Sequence, residues 1–297
     1  MLRAHGGSAR WKQIRSQVGW RAVKRARASG SVRQTGRIYH LPEDHAAAGK
    51  ARAAGGIRSH TTAAAHHGLA LPPGAADTTH VTVPRQARPR VRENVELHYR
   101  DLPASAVEGD VTSLVQTVVD CLRDEPLRTA LCVGDSALAE GRLTRATLRA
   151  YVGRLRGPGS ARVRERIELL DGRAANAFES CGRAILVEAG LLGFEPQVTI
   201  RHRGIFVGRV DLAHRRLRVV IECDGFEHHG ERDRWTQDLL RHTSLVAAGW
   251  RPLRFTWEQV MFAPEWVLER VVETITGKTG HDAVAVARRL CRVTEAA

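Results

Sequence analysis

The chain has 297 residues, enough for two or three domains with separate cores. It carries 46 Lys plus Arg against 32 Asp plus Glu, a formal charge of +14 at neutral pH, and its pI is near 10.7. That balance points to a polyanionic partner. The sequence shows no apolar run of membrane-spanning length and no signal-like amino-terminal segment, so nucleic acid in a cytoplasmic setting is expected rather than a membrane. Cys121, Cys132, Cys181, Cys223 and Cys291 are odd in number and never stand in a CxxC spacing. They support neither a disulfide framework nor a structural zinc site.

Residues 1–42 hold ten Lys or Arg and no Asp or Glu. Trp11, Ile14 and Val18 recur at helical spacing, Gly19 breaks the run, and Trp20, Val23 and Ala26 begin a second helix that Gly30 ends. Arg21, Lys24, Arg25 and Arg27 then face outward, as a helix lying against DNA phosphates and base edges requires. Ser31 to Gln34 and Arg37 to Leu41 read as a small hairpin that resembles the wing of winged-helix proteins, adding Arg33 and Arg37 to the expected nucleic-acid surface. A winged helix normally has one helix more, ahead of these two, and residues 1–9 are too short and Gly-containing to supply it.

From about residue 43 the composition shifts to Ala-rich helices, including Ser59 to His67. His80 to Val83 and Val95 to Tyr99 read as strands, and Thr112 to Leu122, Leu127 to Ala139 and Thr144 to Leu155 as helices. No Cys or carboxylate joins His60, His66 and His67 at a metal-ligand spacing, so these are expected to be helix-surface or packing residues. In order and content, with Gly36 to Pro42 as the strongest local match, the first 150 or so residues resemble abortive-infection type IV antitoxins (AbiEi-like). That resemblance implies a winged-helix head at 1–42, a mixed α/β domain at 43–156 and a toxin or defence-system partner. Gly157-Pro158-Gly159-Ser160 reads as a linker.

Beyond it, residues 173–191 read as a helix. Gln197 to His202, Ile205 to Ala213 and Leu217 to Cys223 read as strands, Asp233 to Ala248 as a helix, Arg251 to Thr256 as a strand and Pro264 to Ile275 as a helix. The expected class is α/β, or mixed α+β, with an αβββαβ core at 161–276 and a tail at 277–297. Asp211 precedes Glu222 by eleven residues, and Glu222 and Asp224 share one face of their strand while Cys223 points to the other. Acids gathered on neighbouring strands repel one another unless a cation neutralises them, and hard oxygen donors suit Mg²⁺ or Mn²⁺ and phosphodiester hydrolysis. Glu179 on the preceding helix could complete the ligand set, and His228 or His229 could shuttle a proton.

The run from Val219 to His228, with Asp211 before it and Ala248 to Thr256 after it, resembles a domain-of-unknown-function family related to very-short-patch-repair endonucleases. That family lies within the PD-(D/E)xK nuclease superfamily. The resemblance covers about residues 173–276 and implies a catalytic set of Glu179, Asp211, Glu222, Asp224 and His228. Within that set Asp211, Glu222 and Glu179 would hold the metal, and Asp224 stands where the pattern has Lys. Asp238 resembles a further acidic position. The expected function is a Mg²⁺- or Mn²⁺-dependent endonuclease acting on double-stranded DNA. The alternative is a non-catalytic DNA-binding regulator of antitoxin type built on a degenerate nuclease fold.

Overall fold

The structure is a computed structural model describing residues 8–15, 18–35, 38–89, 94–153, 155–224 and 232–292. It is a mixed α/β protein with two compact units, one ending at Leu170 and the next beginning at Asp171. Among the described residues no helix is long and apolar enough to cross a membrane.

The first unit opens with strand β1 (Ser8–Arg10), helices α1 (Trp11–Ile14) and α2 (Trp20–Ala28), and the hairpin β2 (Arg33–Thr35) and β3 (Ile38–His40). The hairpin forms as the sequence suggests, and β1 joins it on the other side of β3 to give the order β1-β3-β2. Ile14, Val23 and Tyr39 form the buried centre, with Trp11, Val18, Val32 and Leu41 packed around it. Arg25 and Arg27 close the last turn of α2, where cations complement the carbonyl end of the helix dipole.

Helix α3 (Pro42–Ala53) leads to β4 (Ile57–Arg58), α4 (His60–His66), β5 (Thr79–Val83), β6 (Val95–Tyr99), β7 (Val107–Glu108) and β8 (Val111–Thr112). These strands make a second sheet in the order β6-β5-β4-β8-β7. Strand β5 is buried at every position, so its Thr and His side chains must find partners inside the unit. Helices α5 (Leu114–Asp124), α6 (Leu127–Ala139), α7 (Arg145–Val152) and α8 (Ser160–Leu169) complete the unit. The Gly157 to Ser160 stretch is therefore a turn into α8, whose Val163 and Ile167 are buried and whose Arg166 donates to the Leu122 and Glu125 carbonyls.

In the second unit, α9 (Ala177–Glu188) precedes the meander β9 (Glu195–His202), β10 (Ile205–His214) and β11 (Val219–Asp224). Helix α10 (Arg232–Ala247) crosses to β12 (Arg251–Thr256), followed by α11 (Trp257–Phe262), α12 (Pro264–Thr276) and α13 (His281–Arg292). The sheet order is β12-β11-β10-β9, with β11 and β12 parallel across the α10 connection and the other pairs antiparallel. Helix α9 covers one face. A Cβ on Gly182 would stand 3.3 Å from Cys223 Sγ, so the glycine lets helix and strand approach closely. Helix α10 covers the other face through Leu245 and Ala248, packed with Val198, Ile200, Val210, Ala213, Val220 and Trp250.

Two elements of the second unit differ from expectation. The segment at 277–297, expected as a tail, contains α13, with Ala283, Ala287 and Cys291 buried at four-residue spacing. Helix α11 starts from a capping box in which Thr256 and Gln259 satisfy each other's backbone N–H groups. Because Leu245 anchors the helix that carries Asp238 and Arg241, Leu245→Ala should lower unfolding stability by about 2–5 kcal/mol in urea titrations. A loss near zero would mean that α10 is held by other contacts.

Candidate active site

The acids singled out by the sequence meet at one end of the second unit's sheet. At that end the β10–β11 ladder pairs Leu212 with Ile221, and Asp211 and Glu222 are the next residues along each strand. The Asp211 Oδ2 accepts the Cys223 backbone N–H at 2.7 Å, while the Asp211 backbone N–H bonds the Glu222 carboxylate. The two strands are thus laced together by the side chains that sequence pattern nominated.

Glu179 is 3 % exposed in the first turn of α9. The Asn176 side chain caps the Glu179 N–H at 3.0 Å, and the Glu179 carboxylate accepts from Ala175 N at 2.9 Å and Asn176 Nδ2 at 3.2 Å. Gln197 Nε2 donates to Glu179 Oε2 at 2.8 Å and the same side chain bonds Asp211. Gln197 holds a left-handed backbone, φ 55°, a conformation that costs a non-glycine residue energy and is held by its surroundings. Glu179 and Asp211 are thereby joined through one amide.

Glu222 lies on the α10 side and is 5 % exposed. Arg241 Nη2 stands 3.1 Å from Glu222 Oε1 without hydrogen-bond alignment, leaving that oxygen with no hydrogen bond. The same guanidinium reaches Asp238 at 3.4 Å and donates to the Arg209 carbonyl at 3.1 Å. Gly208 makes room for it, since a Cβ there would lie 3.0 Å from Arg241 Cδ. Next to this pair, Arg254 on β12 grips Asp224 at 2.7 and 3.0 Å and Asp238 at 2.6 Å. A chain of alternating charge therefore runs Glu222, Arg241, Asp238, Arg254, Asp224 along the α10 face. The cavity beside it is lined by Glu222, Asp238, Arg241, His242 and Arg254.

The electrostatics follow from this crowding. Burial, reinforced by Asp211 and Asp224 and opposed by Arg241, pushes the Glu222 carboxyl up to about 7. Burial also raises Asp211 and Glu179, each against its hydrogen bonds. Arg254 is raised by its hydrogen bond to Asp224. Two buried acids, Glu179 and Glu222, and the half-buried Asp211 between them hold protons more tightly than usual, so a cation beside Asp211 would be stabilised. Among the described residues, no trio drawn from them brings its ligand atoms within 4.8 Å of one another.

The structure sets Asp211 beside Glu222 on neighbouring strands, links Glu179 to Asp211 through Gln197, and places Asp224 and Asp238 on Arg254. His228, His229 and Arg37 lie outside the described residues. On the first unit, Arg21, Lys24, Arg25 and Arg27 are exposed on α2, and Arg33 is exposed on β2. Sequence reasoning missed Gln197, Arg241 and Arg254 as parts of the site. Arg241 could have been flagged by its three-residue spacing from Asp238 on a helix, whereas Gln197 carries no spacing signal.

Residues 178–275 match the restriction-endonuclease-like family model REase_MTES_1575, so the second unit carries a nuclease-like domain. Two similar relatives, both from Mycobacterium tuberculosis, are the uncharacterized protein MT2308 of strain CDC 1551 / Oshkosh and the uncharacterized protein Rv2248 of strain ATCC 25618 / H37Rv. Each is 29% identical over 182 residues, covering 61% of this chain and 62% of the relative. The chain thus spans less than two thirds of the length of either. No solved structure matches the chain.

The raised Glu222 carboxyl has a stability consequence. Below its ordinary value of 4.5 it is protonated in both folded and unfolded chains, and above about 7 it is ionised in both. Between those limits the unfolded chain loses its proton first, so folded stability falls as pH rises through the window. Glu222→Gln should remove that part of the slope in metal-free protein, an effect of about 3 kcal/mol at most. Denaturation at several pH values checks it, and parallel profiles for the two proteins would show that Glu222 titrates normally.

Proposed function

We propose that the protein is a metal-dependent nuclease that hydrolyses phosphodiester bonds in double-stranded DNA, with a basic amino-terminal head that grips the backbone. The observation that carries this reading is the pair of half-buried Asp211 and buried Glu222, mutually repelling and set side by side where the β10–β11 ladder ends within a restriction-endonuclease-like domain. The donor chemistry fits a hard divalent cation: Glu179, Asp211 and Glu222 offer carboxylate oxygens, and Glu222 Oε1 is buried with no hydrogen bond. Held between Asp211 and Glu222 once Arg241 moves off Glu222, with Glu179 linked through Gln197, Mg²⁺ or Mn²⁺ would polarise the scissile phosphate and lower the pKa of a bound water.

The chain's own groups supply the rest. Glu222, whose carboxyl is raised to about 7 without an ion, would give up its proton as the ion binds, so loading the site would release a proton near neutral pH. Arg241, once freed from Glu222, is positioned to meet a phosphate oxygen. Arg254 stays committed to Asp224 and Asp238, which supports a role for Asp224, the acid in the place of Lys, in fixing an arginine beside the site. On the head, Arg21, Lys24, Arg25, Arg27 and Arg33 give a cationic surface with the character phosphate contacts require.

One observation favours the second reading, a non-catalytic DNA-binding regulator of antitoxin type with a toxin or defence-system partner. Arg241 and Arg254 already balance much of the acid charge from within. That reading requires DNA binding indifferent to divalent ions.

Asp211→Asn and Glu222→Gln should each reduce Mg²⁺- or Mn²⁺-dependent nicking of plasmid DNA by about a hundredfold or more while DNA is still bound. Binding without nicking by the unaltered protein would support the regulator instead. Replacing Arg21, Lys24, Arg25 and Arg27 by Ala should weaken binding and reduce the slope of log affinity against log salt by roughly one for each phosphate that is no longer neutralised. An unchanged slope would remove the head from the DNA surface.

A further inference from the structure

The first unit contains a second concentration of ligating side chains, formed by residues far apart in sequence. His60 begins α4, His80 and His98 stand on β5 and β6, and Asp120 and Asp124 lie on α5. Of the two roles expected for His60, helix surface or packing, the structure excludes the first. His60 is 0 % exposed, and carboxylates join it from 60 residues and more along the chain.

In the parallel β5–β6 register His80 pairs with Glu96 and Thr82 with His98, so His80 and His98 are diagonal neighbours. His80 Nδ1 and His98 Nε2 lie 3.1 Å apart, and one ligand nitrogen from each of His60, His80 and His98 falls within 4.8 Å of the other two. A tetrahedral ion with bonds of about 2.0 Å needs ligand atoms roughly 3.3 Å apart, a spacing His80 and His98 already have, while His60, stacked on the His98 ring at 3.5 Å, must turn to aim a nitrogen at the same ion. The surroundings resemble those of ligating histidines in general. Asp124 Oδ2 accepts from His60 Nε2 at 3.0 Å, which leaves the His60 lone pair on Nδ1, where Ser59 Oγ stands at 2.9 Å. Arg100 in turn holds Asp124 and Asp120, each at 2.9 Å. A carboxylate that fixes the ring tautomer, and is itself fixed, is how metal-bound imidazoles are oriented.

Two independent features mark this place as more than a satisfied polar core. Asp120 is fully buried, its Oδ2 has no hydrogen-bond partner, and ligand atoms of Asp120, Asp124 and His60 lie within 4.8 Å of one another. His60 also has a left-handed backbone, φ 49°, at the first position of its helix, which costs energy in a residue with a Cβ.

We propose that His60, His80 and His98 bind one late first-row divalent ion of the Zn²⁺ class, with the carboxylates of the buried Asp120 and the solvent-facing Asp124 balancing its charge. Imidazole nitrogen selects such an ion over Mg²⁺, the opposite preference from that of the carboxylate centre in the second unit. The ion staples β5, β6, α4 and α5 within a unit whose β4, β7 and β8 are two residues long. The proposal stands apart from the nuclease reading, since none of its ligands belongs to the second unit.

The test uses the full chain carrying Asp211→Asn and Glu222→Gln, so that the carboxylate centre contributes no binding. After chelator treatment it is titrated with Co²⁺ and then Zn²⁺. One equivalent of Co²⁺ should bind with the visible absorption of a low-coordinate nitrogen-rich site, be displaced by Zn²⁺ and be untouched by Mg²⁺. Adding His80→Ala or His98→Gln should weaken binding by about a hundredfold or more. His98 lies near the rim, 11 % exposed, so His98→Gln, with an unchanged circular dichroism spectrum, decides the matter should His80→Ala fail to fold. Absence of stoichiometric Co²⁺ and Zn²⁺ binding, or binding unaffected by the histidine substitutions, overturns the proposal.

Discussion

The second unit is organised around a carboxylate that the fold takes out of water. Glu222 stands where β11 reaches the end of its ladder with β10, and its burial follows from docking α10 over that face through Leu245 and Ala248. An ionised carboxylate in such a place costs several kcal/mol, and a single imperfectly aligned guanidinium offsets only part of it. Arg241 is that guanidinium. It is held at the right depth by the Arg209 carbonyl and by the space Gly208 leaves. Asp211 adds a second negative charge from the next strand and Glu179 a third from the opposite helix, linked to Asp211 through Gln197. The remaining imbalance is resolved by protons, as the raised carboxyls indicate, or by a cation.

The charged chain from Glu222 to Asp224 explains why the acid at position 224 is compatible with a nuclease-like frame. At position 224 the strand offers an anion, and β12, running parallel beside it, returns positive charge as Arg254. Arg254 then reaches Asp238 on α10, so sheet and covering helix are tied by the same guanidinium. These pairs are one-third exposed and contribute modestly to stability.

Much of this unit was legible in the sequence because its signals are local. The Val- and Ile-rich strands alternate, the connection between Ala213 and Val219 is short enough to force an antiparallel return, and Gly249 ends α10 where periodicity stops. Such a return makes neighbours of Asp211 and Glu222 once the register is set. What could not be read was tertiary. Arg241 and Arg254 look like solvated basic residues in a chain of charge +14, and only the folded arrangement assigns them acids. Gln197 reads as an ordinary strand residue until its backbone turns left-handed. In the first unit the histidines at 60, 80 and 98 lie too far apart for any ligand spacing, and their convergence depends on the parallel pairing of β5 with β6. The α13 helix was missed because its buried positions are small residues, Ala283, Ala287 and Cys291, which mark an apolar face weakly.

The central claim is that Asp211 and Glu222 share one divalent ion. Crystals grown with Mn²⁺ and measured at the manganese absorption edge test it most directly. An anomalous peak between the Asp211 and Glu222 carboxylates, with Arg241 displaced from Glu222 Oε1, is the predicted result. Arg241 still seated on Glu222, with no anomalous density beside either acid, would contradict the account.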